Sequence, residues 1–189
     1  MENLQEKAQI LEFLKLKLGV QTQTAGASYS CSLLSERWNS QNRNNQSGVS
    51  RGAITKLTGS GKTKFLVQFL AENPLLRVAW VEPEFTAYPC AVFQNEVDLR
   101  RILFIEAGKE WDWSLLQLLK SALFEVVVFH QSIPINEKIL RRLQLVAKKS
   151  SSTLILLSND RSRSWPVSLH LEVSRRGIGQ GLIVEAPRY

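Results

Sequence analysis

The residues best suited to chemistry are six in a row, Thr58-Gly59-Ser60-Gly61-Lys62-Thr63. Glycines let backbone N–H groups close on phosphate oxygens, a lysine reaches the outer phosphates, and the hydroxyl after it holds magnesium. The complete pattern, G-x-x-x-x-G-K-[ST], has a glycine five residues before its second glycine, where this chain carries Lys56. Cys31, Cys90, His130 and His170 are the only cysteines and histidines. They are too few for a disulfide framework or a cysteine-built zinc site, and no metal is expected. His130 closes an apolar strand and reads as a structural histidine, while His170, at an outward position of VSLHLEV, reads as surface.

A phosphate loop works only if a strand delivers it and a helix leaves it. From Gly52 onward, short apolar runs alternate with helical stretches: AITKL, KTKFLVQFLAE, RVAWVE, AYPCAVFQNE, RILFIEA, SLLQLLKSA, EVVVF, NEKILRRLQLVAKK and TLILLS. That alternation predicts βαβ units and a mostly parallel sheet with helices on both faces. VSLHLEV and GLIVEA, on either side of SRRGIGQG, predict a C-terminal antiparallel hairpin at one edge. The expected class is α/β. Asp112, between Trp111 and Trp113, is expected to cap a helix beginning at Ser114. The core domain spans residues 51–189. Before it come an amphipathic helix within 1–20, striped by Leu4, Ala8, Leu11, Leu14 and Leu18, and a polar, partly flexible linker over 21–50, pinned by Leu33, Leu34 and Trp38.

The order of these junctions resembles the RecA recombinases over residues 50–186. Residues 52–59 resemble the strand that enters the phosphate loop. RVAWVEPE, ending at Glu84, resembles the strand whose end carries the catalytic glutamate. Residues 125–130 resemble the Walker B strand, and 153–160 the strand ending in Asn-Gln. The resemblance implies a RecA-like core and, residue by residue, a degenerate nucleotide site. Gly59 and Gly61 take the places of the loop's two glycines with only Ser60 between them, three residues short of the family's spacing. Lys62, Thr63 and Glu84 match. His130 stands where an aspartate holds magnesium, and Asp160 replaces the glutamine that senses phosphate. A neutral imidazole is a poor ligand for so hard an ion. The expectation is a protein without ATPase activity and without bound ATP or another cofactor.

More narrowly, VSRGAIT, VAWVEPEFTAYP and ILRRLQLVA resemble the short RecA-like ImuA proteins. These accompany error-prone polymerases in bacterial DNA-damage (SOS) responses. The resemblance implies translesion synthesis through protein contacts with the RecA filament and the polymerase assembly. Two alternatives stay open: a cell-division inhibitor of the SulA type, and a small ATPase with an unusual loop.

Charge narrows the partners. The chain carries a net +7, and residues 138–189 alone hold ten bases against three acids. A one-sided basic surface attracts nucleic acid or an acidic protein. Arg161, Arg163, Trp165, Arg175 and Arg176 are the expected contacts for weak, non-specific DNA binding, with arginines on phosphates and the indole on a base. The leucine stripe of the first helix is the expected surface for self-association or a RecA-like neighbour. No apolar run nears the length of a membrane span, no secretory leader is recognised, and a cytoplasmic location is expected.

Overall fold

A computed structural model describes residues 28–34, 48–162, 165–175 and 181–185. The first helix, Trp38, Arg163 and Arg176 lie outside these residues. Strands β1 (Ser28–Ser30) and β2 (Gly48–Ser50) form an antiparallel ribbon. Then follow β3 (Ile54–Thr58), α1 (Lys62–Glu72), β4 (Val78–Glu82), α2 (Pro89–Phe93), β5 (Ile102–Glu106), α3 (Trp111–Ser121), β6 (Val126–Gln131), α4 (Glu137–Ser150), β7 (Thr153–Ser158), β8 (Leu169–Arg175) and β9 (Leu182–Glu185).

Among the described residues the main sheet has seven strands in the order β5-β4-β6-β7-β3-β8-β9. All neighbours are parallel except β8 and β9, which form the expected antiparallel hairpin. Strands β3, β4 and β7 are buried along their whole length, which is why they read as nearly unbroken apolar runs. One face packs on α1 through Phe65, Leu66, Phe69 and Leu70, and the other on α3 and α4 through Leu115, Leu119, Leu140, Leu143 and Ala147.

Local chemistry sets the helix ends. The Asn136 side chain accepts the Lys138 N–H at 2.9 Å and starts α4. Arg101, just ahead of the edge strand β5, closes α1: its guanidinium donates to the carbonyls of Leu70, Asn73 and Leu76 at 2.5, 2.7 and 3.0 Å. A cation there also opposes the negative end of the helix dipole. Helix α3 begins at Trp111, three residues earlier than expected, with no side-chain cap; Asp112 lies in its first turn. Trp111 is instead held by stacking on Phe129 at 5.1 Å, and Trp113 is exposed.

The described residues of the segment expected to be a linker contribute to the core. Tyr29, Cys31, Leu34 and Val49 are all buried among the side chains of the α1 face. The Tyr29 ring meets Phe69 edge-on at 6.2 Å, Arg51 stacks over it at 4.4 Å, and its hydroxyl donates to the Glu125 carbonyl at 3.3 Å. Burial raises its pKa. The ribbon closes the end of the sheet where β6 and β7 begin, and the Thr153 hydroxyl donates to the Ser50 carbonyl at 2.9 Å. Tyr29→Ala is therefore expected to cost about 3 kcal/mol in urea denaturation, as for a buried aromatic. A loss below about 1 kcal/mol would make the ribbon an accessory to the core rather than part of it.

Candidate functional site

The phosphate-loop residues join β3 to α1, as the sequence order requires, but the space beside them is taken. Strand β8 lies parallel to β3, with Thr58 opposite Glu172. One residue further on, the Val173 carbonyl accepts the Gly61 N–H at 2.9 Å. Gly59 has φ +88°, and a Cβ there would stand 2.3 Å from the same carbonyl oxygen. A Cβ on Gly61 would stand 2.8 Å from Val173 Cγ1 and 3.0 Å from Leu182. Both glycines are thus needed for the hairpin to lie against the loop. The Lys62 ammonium donates to the Asn159 side chain at the end of β7, and burial lowers its pKa.

The open space lies alongside, between the carboxyl ends of β4 and β6. These adjacent strands leave in opposite directions, β4 through α2 to β5 and β6 through α4 to β7, which makes the gap between them a topological switch point where α/β folds place ligands. A cavity of about 390 Å³ opens there. Thr63, Lys64 and Val67 of α1 form one wall; Trp80, Ala87, Tyr88, Val92 and Leu157 supply apolar surface; Arg175 reaches it from β8, and Glu82 and His130 are among its polar residues.

Glu82, only 1% exposed, organises this end of the sheet. Its Oε1 accepts the Trp80 indole N–H at 3.0 Å, and its Oε2 accepts the Thr86 hydroxyl at 3.0 Å, the Ala87 N–H at 2.8 Å and the Thr86 N–H. Burial alone would raise its pKa, but these donors outweigh it and hold the carboxyl below its ordinary range. His130 Nδ1 lies 3.3 Å from Glu82 Oε1 and 3.2 Å from the Thr86 hydroxyl oxygen.

Magnesium does not fit these residues. Both Glu82 oxygens are occupied by protein donors, and His130 offers nitrogen where the ion prefers oxygen. Glu84, the expected counterpart of the catalytic glutamate, is exposed on the turn after β4, and Glu82 lines the cavity in its place. Glu82 and Glu84 share a parity, and the strand ending at Glu82, with Glu84 on the turn beyond it, decides which one turns inward.

Lys56, at the motif's missing-glycine position, belongs to the strand. Its side chain is 1% exposed; its ammonium meets Asp160 at 3.2 Å and donates to the Ser162 carbonyl at 2.9 Å. The Ser162 hydroxyl and N–H, with Lys56, hold the Asp160 carboxyl down at about 2. His170 sits opposite Lys56 in register and 3.2 Å from the Thr58 hydroxyl, half-buried rather than on the surface, because the loop after β7 covers that face.

Of the residues expected to contact DNA, the three described, Arg161, Trp165 and Arg175, do not share one face. Arg161 pairs with Glu172 at 2.9 Å. Arg175, an odd number of residues further along the same strand, lines the cavity on the α1 side. Trp165 is exposed beside Arg141, whose guanidinium lies 5.0 Å from the ring centre. The feature that sequence reasoning missed, Glu82 held against Trp80, was signalled by the i, i+2 spacing in AWVE, which puts both side chains on one face of a strand.

With this geometry in hand, the chain can be set beside known structures. A solved structure described as the RadB recombinase is similar to it, with a TM-score of 0.55, 19% identity, and coverage of 75% of this chain and 84% of that one. The fold is RecA-like. No protein-family model matches the chain, and no curated protein matches it. Among the described residues no helix is long and apolar enough to cross a membrane, and no cluster of metal-ligating side chains is present.

The pocket around His170 gives a pH signature. Burial first, then the Lys56 charge, push its pKa from 6.5 down to about 4, with Asp160 opposing in part. The unfolded chain therefore binds more protons between pH 6.5 and 4, and stability falls as the pH drops through that window. The stability lost on acidification is expected to be smaller in His170→Gln by about 1–3 kcal/mol. Parallel pH–stability curves for the two proteins would remove His170 as the cause.

Proposed function

We propose that this chain is a RecA-fold accessory protein of the ImuA type, acting in DNA-damage-induced translesion synthesis by protein contact and not by ATP turnover. The observation that carries the second part is the Gly61 N–H bonded to the Val173 carbonyl at 2.9 Å. A loop that cradles phosphate needs its backbone donors free and its glycine side open. Here an acceptor from the same chain occupies that position, and the β8–β9 hairpin fills the glycine side. Lys62 is drawn to Asn159, away from the role of reaching outer phosphates. The Glu82–His130 pair and the cavity beside it fit a rebuilt, non-hydrolytic site. The first part rests on the RecA-like fold and on the sequence resemblance of the VAWVEPEFTAYP and ILRRLQLVA segments.

Two measurements test this. A ligand at 100 times its Kd stabilises by about 2.7 kcal/mol, or several degrees for a domain of this size. ATP with magnesium is expected to leave the melting temperature unchanged; a shift of several degrees, abolished by Lys62→Ala, would restore the small-ATPase reading. Purified protein is expected to associate with RecA filaments and with the error-prone polymerase assembly. Association with the division tubulin homologue alone would favour the SulA-type reading.

A further inference from the structure

The outer face of α4 has a composition that neither the phosphate loop nor the cavity uses. Leu145 is 53% exposed, and Lys138, Arg141, Arg142, Lys148 and Lys149 are exposed as well. At 100° per residue all five bases fall within about 60° of Leu145, so they frame it over about 16 Å of helix. Leu140, Leu143 and Ala147 lie on the opposite side and are buried in the core. Trp165 extends the same surface. Its ring is 62% exposed and rests against Arg141, and the next residue, Pro166, accepts a bond from the Gln144 side chain at 3.4 Å.

We infer that this face is a docking surface for an acidic protein segment that carries apolar side chains on one side. This deepens the contact-protein reading above by naming the surface and its partner's chemistry. Leu145 sits at the centre of the bases, and Trp165, stacked on Arg141, adds a second exposed apolar side chain at the flank. Large apolar and arginine anchors inside a charged rim are the anatomy of a protein interface. The rim is cationic on both sides of Leu145, so the complementary partner is acidic. A nucleic-acid strand fits less well. Along the helix it would meet Leu145 midway, where a phosphate finds only an apolar side chain. Arg161, the nearest further arginine in the chain, is already paired with Glu172.

The test uses the full chain and three labelled probes: an acidic helical peptide with leucines on one face, the same peptide with serines in their place, and oligo(dT). Anisotropy titrations are expected to rank the leucine peptide first. Leu145→Ser and Trp165→Ser should each weaken it about tenfold without affecting the serine peptide. Lys148→Gln combined with Lys149→Gln should weaken both peptides and flatten their salt dependence. All these side chains are exposed, so unchanged melting temperatures serve as the folding control. Equal binding of the two peptides, no binding of either, or preferential binding of oligo(dT) that ignores Leu145→Ser would each overturn the proposal. None of these outcomes bears on the ATP thermal shift, so the docking surface and the remodelled loop fail separately.

Discussion

The bond from the Gly61 N–H to the Val173 carbonyl sets the character of this molecule. The N-terminus of a helix carries a positive partial charge and unpaired donors, and in a phosphate loop an anion completes it. Here strand β8 brings a carbonyl oxygen, the negative end of a peptide dipole, to that position. The two glycines that in a longer loop would let phosphate approach instead let β8 lie against the turn. A short loop and a docked hairpin are one change seen from two sides: with a single residue between the glycines there is no arch, and the sheet extends into the space an arch would enclose.

Much of the fold was legible because its interior strands are buried on both faces, so their sequences are apolar enough to announce themselves. The hairpin at the edge was legible through the alternation of Leu169, Leu171 and Val173. The ribbon of β1 and β2 was not, since three-residue strands show no period and SYS and GVS look like loop. Their hold on the core comes from Tyr29, Cys31 and Val49, contacts between segments far apart in the chain that no local pattern encodes. His170 was misplaced for a related reason. Alternation correctly put it on the opposite side from Leu169 and Leu171, but that side is covered by the loop carrying Asp160 and Ser162. Of the candidate site, the loop position was readable from residue types, whereas the inward acid was not: Glu82 and Glu84 share a parity, and only the end of the strand separates them.

Among the described residues, the two buried charged side chains, Lys56 and Glu82, each have partners built in. Lys56 lies within an apolar strand yet meets Asp160 and the Ser162 carbonyl, so its desolvation is offset by a charge-assisted pair. Glu82 is compensated without any cation, by four donors from its own strand and the following turn. These two groups tie down the segments that leave β7 and β4, the same segments that would carry contacts to a partner or ligand in a fold of this kind. The five bases of α4 lie instead on its exposed face, where water screens their mutual repulsion.

The guanidinium of Arg101 gives α1 a mechanical property. The helix is gripped at its first turn by a carbonyl of β8, on one flank of the sheet, and at its last turn by a side chain leading into β5, on the other. Sliding or tilting it would break bonds at both ends together. The helix is therefore a strut, spanning the sheet between two anchors and holding the surface around it to one shape.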